Sequence, residues 1–136
     1  MAVEITEEFV WQSIPPRARD SHKGTFGSVL AVAGSAFYRG AALLAAEGAL
    51  RTGAGIVTLA SVEPVVSAAV TRLPECCLCP CKEGEQGGIA PENVPLLRRQ
   101  KATVLLLGPG LGGTAQSVAR AAETRCSVRA SNNTMG

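Results

Sequence analysis

The stretch that most constrains the fold runs from His22 to Ala60: an apolar run, a glycine loop, an alanine-rich segment, a glycine turn and a second apolar run. Ser28–Ala33 is bounded by Gly27 and Gly34, which suits a short strand buried on both faces. Ala41–Thr52 is rich in Ala and Leu, the strongest helix formers, and stops at Gly53 and Gly55. Ile56–Ala60 is β-branched and apolar, which predicts a second strand. Strand, crossover helix and strand in this length make a right-handed βαβ unit, and such units hold ligand loops at the carboxyl ends of their strands. Here that loop is Gly34–Gly40. The helix carries apolar residues on nearly all sides and is expected to be mostly buried, with Glu47 and Arg51 as its one polar strip. Gly48 in mid-helix costs about 1 kcal/mol relative to alanine, which predicts a close neighbour there. The amino end, Gly40-Ala41-Ala42, offers free backbone donors and a positive dipole end suited to an anion or a polar amide.

The 136 residues suffice for one domain, and 46% hydrophobic content fits an ordered core. Aromatic residues make up only 4%, beside 15 glycines, so the core must be small and branched aliphatic, with close backbone packing. A net charge of +2 is too small to imply nucleic acid, and Arg98, Arg99 and Lys101 read as a solvated helix end. Glu47 and Arg51 interrupt the best apolar stretch, so no membrane span is expected. Glu4, Glu7 and Glu8 stand where a signal peptide needs positive charge, and the chain reads as cytoplasmic. Four of the five cysteines crowd into Cys76–Cys81, unlike a disulfide framework, and read as reduced thiols.

Before the βαβ unit, Ala2–Trp11 is expected to form a short helix with Thr6 as N-cap and Phe9, Val10 and Trp11 as its apolar contribution. Pro15-Pro16 ends it. Residues 17–27 form a loop, in which His22 reads as a structural hydrogen-bonding group. Lys23-Gly24-Thr25-Phe26-Gly27 reads as a tight turn entering a buried strand, or as a backbone approach to a ligand aided by Lys23. After the second strand, Val65–Arg72 is expected to be a helix, Cys76–Cys79 a short strand, Pro80–Pro95 a surface loop and Pro95–Lys101 one or two helical turns. Thr103–Leu107 is the clearest strand of the second half. It runs into Gly108-Pro109-Gly110-Leu111-Gly112-Gly113 and a helical pattern over Thr114–Glu123, making a second strand–glycine loop–helix unit.

Gly108-x-Gly110-x-x-Gly113 formally matches a dinucleotide fingerprint, but Pro109 fixes the backbone and no acidic residue follows about 20 positions later. No phosphate loop or serine elbow is present. Alternation along a strand points Cys77, Cys79 and Cys81 one way at spacings unlike a zinc knuckle, so no metal site is assigned.

Taken jointly, several motifs resemble the nucleotide-dependent NAD(P)H-hydrate dehydratases. These are His22-Lys23-Gly24-Thr25-Phe26-Gly27, Ala33-Gly34-Ser35, Tyr38-x-Gly40-Ala41-Ala42, Ala49–Gly55, Leu73-Pro74-Glu75 and Gly108–Gly112. The resemblance spans Ser21 to Gly113, looks nearer the bacterial, ADP-using branch, and implies a ribokinase-like three-layer α/β fold around a mostly parallel sheet, incomplete in this chain. It implies a repair reaction in which (6S)-NADHX or NADPHX loses water to give NADH or NADPH, driven by hydrolysis of ADP or ATP with Mg2+. In the family the hydrate hydroxyl is phosphorylated and phosphate then leaves. Gly40, Ala41, Ala42, Gly108, Gly110 and Gly112 correspond to contacts with the hydrated dinucleotide, and Lys23, Gly24, Gly34 and Ser35 are candidates to line the site. The resemblance also implies a homotetramer.

The departures are as informative. The family continues through an Asp-Ala-Asp-like strand end, a histidine loop and a Gly-Thr-Gly-Asp motif whose aspartate acts as base. Residues 1–124 correspond to the amino-terminal part of such a domain, while 125–136 are polar and patternless. The expectation is therefore an amino-terminal fragment or frameshifted product with no catalytic residues and no dehydratase activity alone. A thiazole- or pyridoxal-type small-molecule kinase of the same fold and a non-catalytic assembly module are the alternatives.

Overall fold

The computed structural model describes residues 2–112. In chain order these form α1 (Glu7–Ser13), a 3-10 turn (Lys23–Phe26), β1 (Ser28–Val32), α2 (Arg39–Arg51), β2 (Ile56–Val62), α3 (Glu63–Arg72) and β3 (Cys77–Cys81). A second 3-10 turn (Pro91–Asn93), α4 (Val94–Arg99) and β4 (Val104–Leu107) follow. Gly113, the expected helix Thr114–Glu123 and the tail 125–136 lie outside the described residues.

The four strands make one parallel sheet in the order β3-β2-β1-β4. Val29 of β1 is in register with Val57 of β2 and Val104 of β4, while Thr58 of β2 meets Cys77 of β3. The centre is dry: Ala31, Val32, Ala33, Leu59, Ala60 and Val62 are fully buried. The expected α/β class and the βαβ unit are what the chain forms. Small side chains do the packing, with Ala42 and Ala46 of α2 and Val65, Val66 and Ala69 of α3 supplying the helix side. No helix among the described residues is long and apolar enough to cross a membrane.

Several elements differ from expectation for identifiable reasons. Thr6 does cap α1, its Oγ1 accepting from the Phe9 N–H at 3.2 Å, but no residue of that helix is buried and Trp11 is 67% exposed. Its apolar side chains therefore contribute nothing to the core. In α2, only Ala42 and Ala46 are buried, and Leu44 is 67% exposed. An alanine-rich helix reads as apolar from any side, whereas burial is decided by where the sheet and α3 lie. A Cβ on Gly48 would meet nothing within 4 Å, so the expected close neighbour is absent. Helix α3 begins at Glu63, because Pro64 sits in its first turn, where the missing N–H is harmless.

Strand β3 runs on through Pro80 to Cys81, beyond the expected end at Cys79. It is the edge strand of the sheet, where a proline can turn its donorless side outward. The segment 80–95 is not wholly a surface loop. It folds back through an antiparallel bridge between Glu83 and Ile89, and Ile89 is fully buried. Buried Asn93 fixes the base of this hairpin: its Oδ1 accepts from the Lys82 N–H at 2.8 Å, and its Nδ2 donates to the Lys82 and Ala90 carbonyls at 2.9 and 2.7 Å.

Between the helices, Glu47 accepts from Arg51 at 2.9 Å and from Arg72 at 3.0 Å, tying α2 to α3. Arg72, and then Arg51, hold its carboxyl below the usual carboxylate range.

Candidate functional site

The strand order places a switch point beside β1. The chain steps outward from β1 to β2 and β3, then returns to the other side of β1 for β4. In open parallel sheets, ligand crevices open at the carboxyl ends of the strands where the order reverses. At this crevice stand the loop after β1, Ala33–Tyr38, and the loop after β4, Gly108–Gly112.

The two loops are joined. The Gly34 N–H donates to the Pro109 carbonyl at 2.7 Å, and the Gly108 N–H to the Val32 carbonyl at 3.2 Å. Gly34 has φ +80°, and a Cβ there would lie 2.7 Å from the Ala42 Cβ and 3.2 Å from the Ser61 Oγ. Below it, buried Ser61 donates its hydroxyl to the Ala33 carbonyl at 2.5 Å. Gly110, with φ +73°, packs against the first turn of α2, where a Cβ would come 3.0 Å from the Ala41 Cβ and 2.9 Å from the Tyr38 carbonyl oxygen. No L side chain fits either place without displacing backbone.

Other glycines of the crevice behave oppositely. Around Gly40, Gly108 and Gly112 an added Cβ would meet nothing within 4 Å among the described residues. Gly108 (φ +124°) and Gly112 (φ +74°) are glycine for conformation, while Gly40 is glycine with open space above an ordinary helical turn. Tyr38 is the N-cap of α2 and its side chain makes no capping hydrogen bond, so the first N–H groups of the helix stay available. Ser35 is buried, and its carbonyl and Oγ accept from the Tyr38 N–H at 3.2 and 3.3 Å. The crevice is thus rigid and open, with backbone donors and no ionisable side chain among Gly34, Ser35, Gly40, Ala41, Ala42, Gly108, Gly110 and Gly112. Such a wall can bind and orient; it has no group to carry a proton.

Lys23 and Gly24 lie elsewhere. Their 3-10 turn precedes β1, at the opposite end of that strand from Gly34. His22 caps it, with Nδ1 accepting from the Gly24 N–H at 3.1 Å while Thr25 Oγ1 accepts from the His22 N–H at 3.3 Å. The turn nests against the glycines after α2. The Gly55 and Ile56 N–H groups both donate to the Gly27 carbonyl, at 3.1 and 3.2 Å, and a Cβ on Gly55 would overlap the Lys23 carbonyl oxygen. Arg17 reaches across, donating to the Gly53 carbonyl at 3.0 Å and stacking on Phe26 at 4.1 Å. An open depression of about 510 Å³ lies beside this joint. The turn entering a strand is the arrangement found; the structure does not bring Lys23 or Gly24 to the crevice.

The four described cysteines form no metal centre among the described residues. Cys76, Cys79 and Cys81 are buried and Cys77 is exposed. Burial pushes the Cys81 thiol up to about 12, with neighbouring Cys79 adding to it, and burial also raises Cys76 and Cys79. Among the described residues no group of three or more His, Cys, Asp or Glu side chains is placed to hold a metal ion.

Comparison with known proteins is consistent over most of the chain. A family profile described as NAD(P)H-hydrate dehydratase matches residues 29–130. The ADP-dependent (S)-NAD(P)H-hydrate dehydratase of Listeria monocytogenes is 39% identical over 111 residues, which are 80% of this chain and 37% of that protein. A bifunctional NAD(P)H-hydrate repair enzyme of Coxiella burnetii is 42% identical over 103 residues, 76% of this chain and 20% of that protein. Among solved structures, the Bacillus subtilis ADP/ATP-dependent NAD(P)H-hydrate dehydratase co-crystallized with ATP/Mg2+ superposes with TM-score 0.68 at 34% identity, covering 87% of this chain and 40% of that one. A ribokinase-like superfamily protein of Enterococcus faecalis gives TM-score 0.71 at 28% identity, covering 87% and 39%. The chain therefore spans well under half the length of these relatives.

Proposed function

The chain belongs to the NAD(P)H-hydrate dehydratase family and has its ribokinase-like α/β fold, and from that premise we propose that it supplies the dinucleotide-binding wall of a NAD(P)H-hydrate repair enzyme. The reaction is dehydration of (6S)-NADHX or NADPHX to NADH or NADPH, coupled to hydrolysis of ADP or ATP. The observation that carries this reading is the Gly34 N–H to Pro109 carbonyl hydrogen bond of 2.7 Å, which holds two glycine loops together at the switch point. Gly40, Ala41, Ala42, Gly108, Gly110 and Gly112 contact the hydrated dinucleotide. Open space at Gly40, Gly108 and Gly112 lets the substrate approach the backbone, and Gly110 fixes the β4 loop against Ala41. The uncapped first turn of α2 offers N–H donors and a positive dipole end to the substrate's phosphates.

These residues bind and orient, and they exclude water from one side of the substrate. None of them moves a proton. Phosphoryl transfer from the nucleotide supplies the driving force in the family reaction, with Mg2+ as its ion; among the described residues no group of three or more His, Cys, Asp or Glu side chains is placed to hold it. A homo-oligomeric state and a cytoplasmic location are part of the same proposal and rest on the family resemblance.

Titration calorimetry of the purified chain with hydrated NADPH tests the reading. Saturable binding, abolished by Ala41→Leu, is expected, and turnover with ADP and Mg2+ is expected to be absent. Failure to bind overturns the wall. Turnover by this chain alone overturns the assignment of binding without chemistry.

A further inference from the structure

Two aromatic side chains in the β1 loop stand largely outside the core. The chain has three Phe, one Tyr and one Trp, and Phe37 and Tyr38 are 78% and 60% exposed. Loops at strand ends carry a disproportionate share of binding residues, which makes an exposed ring at this crevice a candidate contact. Their backbone is held firmly. The Tyr38 N–H is bonded to Ser35, the Ala36 N–H donates to the Gly87 carbonyl at 2.8 Å, and Arg39 Nε donates to the Ala36 carbonyl at 2.8 Å.

The two rings face different neighbours. Phe37 lies over the hairpin after β3, where a Cβ on Gly87 would come 2.8 Å from its Cε2. Tyr38 stands at the switch-point crevice, where a Cβ on Gly110 would come 2.9 Å from the Tyr38 Cβ. Phe37 therefore anchors the loop from one side, and Tyr38 stands beside the Gly110 loop with its side chain mostly exposed.

Resting on the functional reading above, we propose that Tyr38 is a stacking platform for the planar adenine ring of the dinucleotide. The chemistry selects that half of the substrate. Hydration saturates one double bond of an already reduced nicotinamide, so that ring keeps only part of its flat π-system, while the adenine keeps all of its own. Aromatic rings stack on bases with little regard to identity, and each such stack is worth about 1–3 kcal/mol. Recognition through the adenine half is accordingly indifferent to whether the nicotinamide is hydrated, and product and substrate are held by the same grip.

Tyr38 is the single tyrosine of the chain, which makes it a direct reporter once Trp11, exposed on α1, is replaced. In a Trp11→Phe background, ADP-ribose and NADPH are expected to quench tyrosine emission saturably, and nicotinamide mononucleotide is not. Tyr38→Ala is expected to weaken ADP-ribose binding about 5- to 150-fold, the equivalent of one base stack, while Tyr38→Phe retains the affinity. Calorimetric binding of ADP-ribose without quenching, or unchanged affinity in Tyr38→Ala while hydrated NADPH still binds, overturns the platform and leaves the dinucleotide reading intact. Quenching by ADP but not by ADP-ribose assigns the ring to the nucleotide co-substrate and overturns the proposal. If no dinucleotide binds any variant, the platform and the functional reading fall together.

Discussion

The two ends of the sheet use the same residue for opposite purposes. At the amino end, Gly27 and Gly55 let backbone meet backbone, with His22, Thr25 and Arg17 filling the remaining hydrogen bonds. At the carboxyl end, Gly34 and Gly110 clamp two loops together, but Gly40, Gly108 and Gly112 leave space uncovered. At the amino end the glycines join backbone to backbone, and the open depression lies beside that joint rather than over the glycines. The carboxyl end is rigid around an opening, which is what a binding site requires. A motif shared along a family mixes both kinds of glycine, and only the surroundings separate them.

The largest effect that tests this contrast is expected at Gly55. Gly55→Ala forces a Cβ into the Lys23 carbonyl, and a loss of about 3 kcal/mol or more is expected in chemical denaturation, without a ligand being involved. At the carboxyl end, Gly40→Ala is expected to keep or slightly raise stability, since the space there is empty. Equal destabilisation at the two positions would erase the distinction. A smaller effect is expected at Gly48. With nothing within 4 Å of an added Cβ, Gly48→Ala should raise stability by about 1 kcal/mol in the same experiment, and a loss would restore the close neighbour that a mid-helix glycine suggests.

The smallest effect lies between the helices, away from both ends. The Glu47 carboxyl is held low chiefly by Arg72, so its folded value lies below its unfolded one. Stability from the Glu47 bridges is then present above the unfolded carboxylate range and is lost as pH falls through the depressed folded value. Glu47→Gln should flatten the acid limb of the melting temperature against pH while leaving neutral melting nearly unchanged, as expected for a solvent-screened bridge.

Much of the fold could be read from residue order, because β1, β2 and β4 are apolar runs bordered by glycine, the mark of a strand in a parallel sheet, although β4 itself carries no buried residue. The hairpin after β3 could not be read so well. Ile89 is one apolar residue in a polar stretch, and its burial follows from the fold-back fixed by Asn93 rather than from any periodicity. The apolar residues of α1 misled because hydrophobicity states a preference and not the presence of a partner. At the site, the glycine loops were legible as strand-end loops, whereas Lys23 and Gly24 carried the same composition at the wrong end of β1. Tyr38 entered only as part of the Tyr38-x-Gly40-Ala41-Ala42 motif, with no role of its own. Its interest lies in being exposed, a property that no residue type announces.

The position of β1 in the sheet has a consequence for how the protein is made. Ser28 at the start of β1 and Thr103 at the entry to β4 bond to one another across 75 residues of chain. A ribosome releasing about 5–20 residues per second exposes β1 roughly 4 to 15 s before its β4 partner emerges. During that interval the central strand is an open edge, paired on the β2 side and bare on the other. Until β4 emerges, the side of β1 left without a partner is the one that later borders the switch-point crevice. Among the described residues, the order of synthesis thus makes the β1–β4 side of the crevice the last part of the sheet to pair.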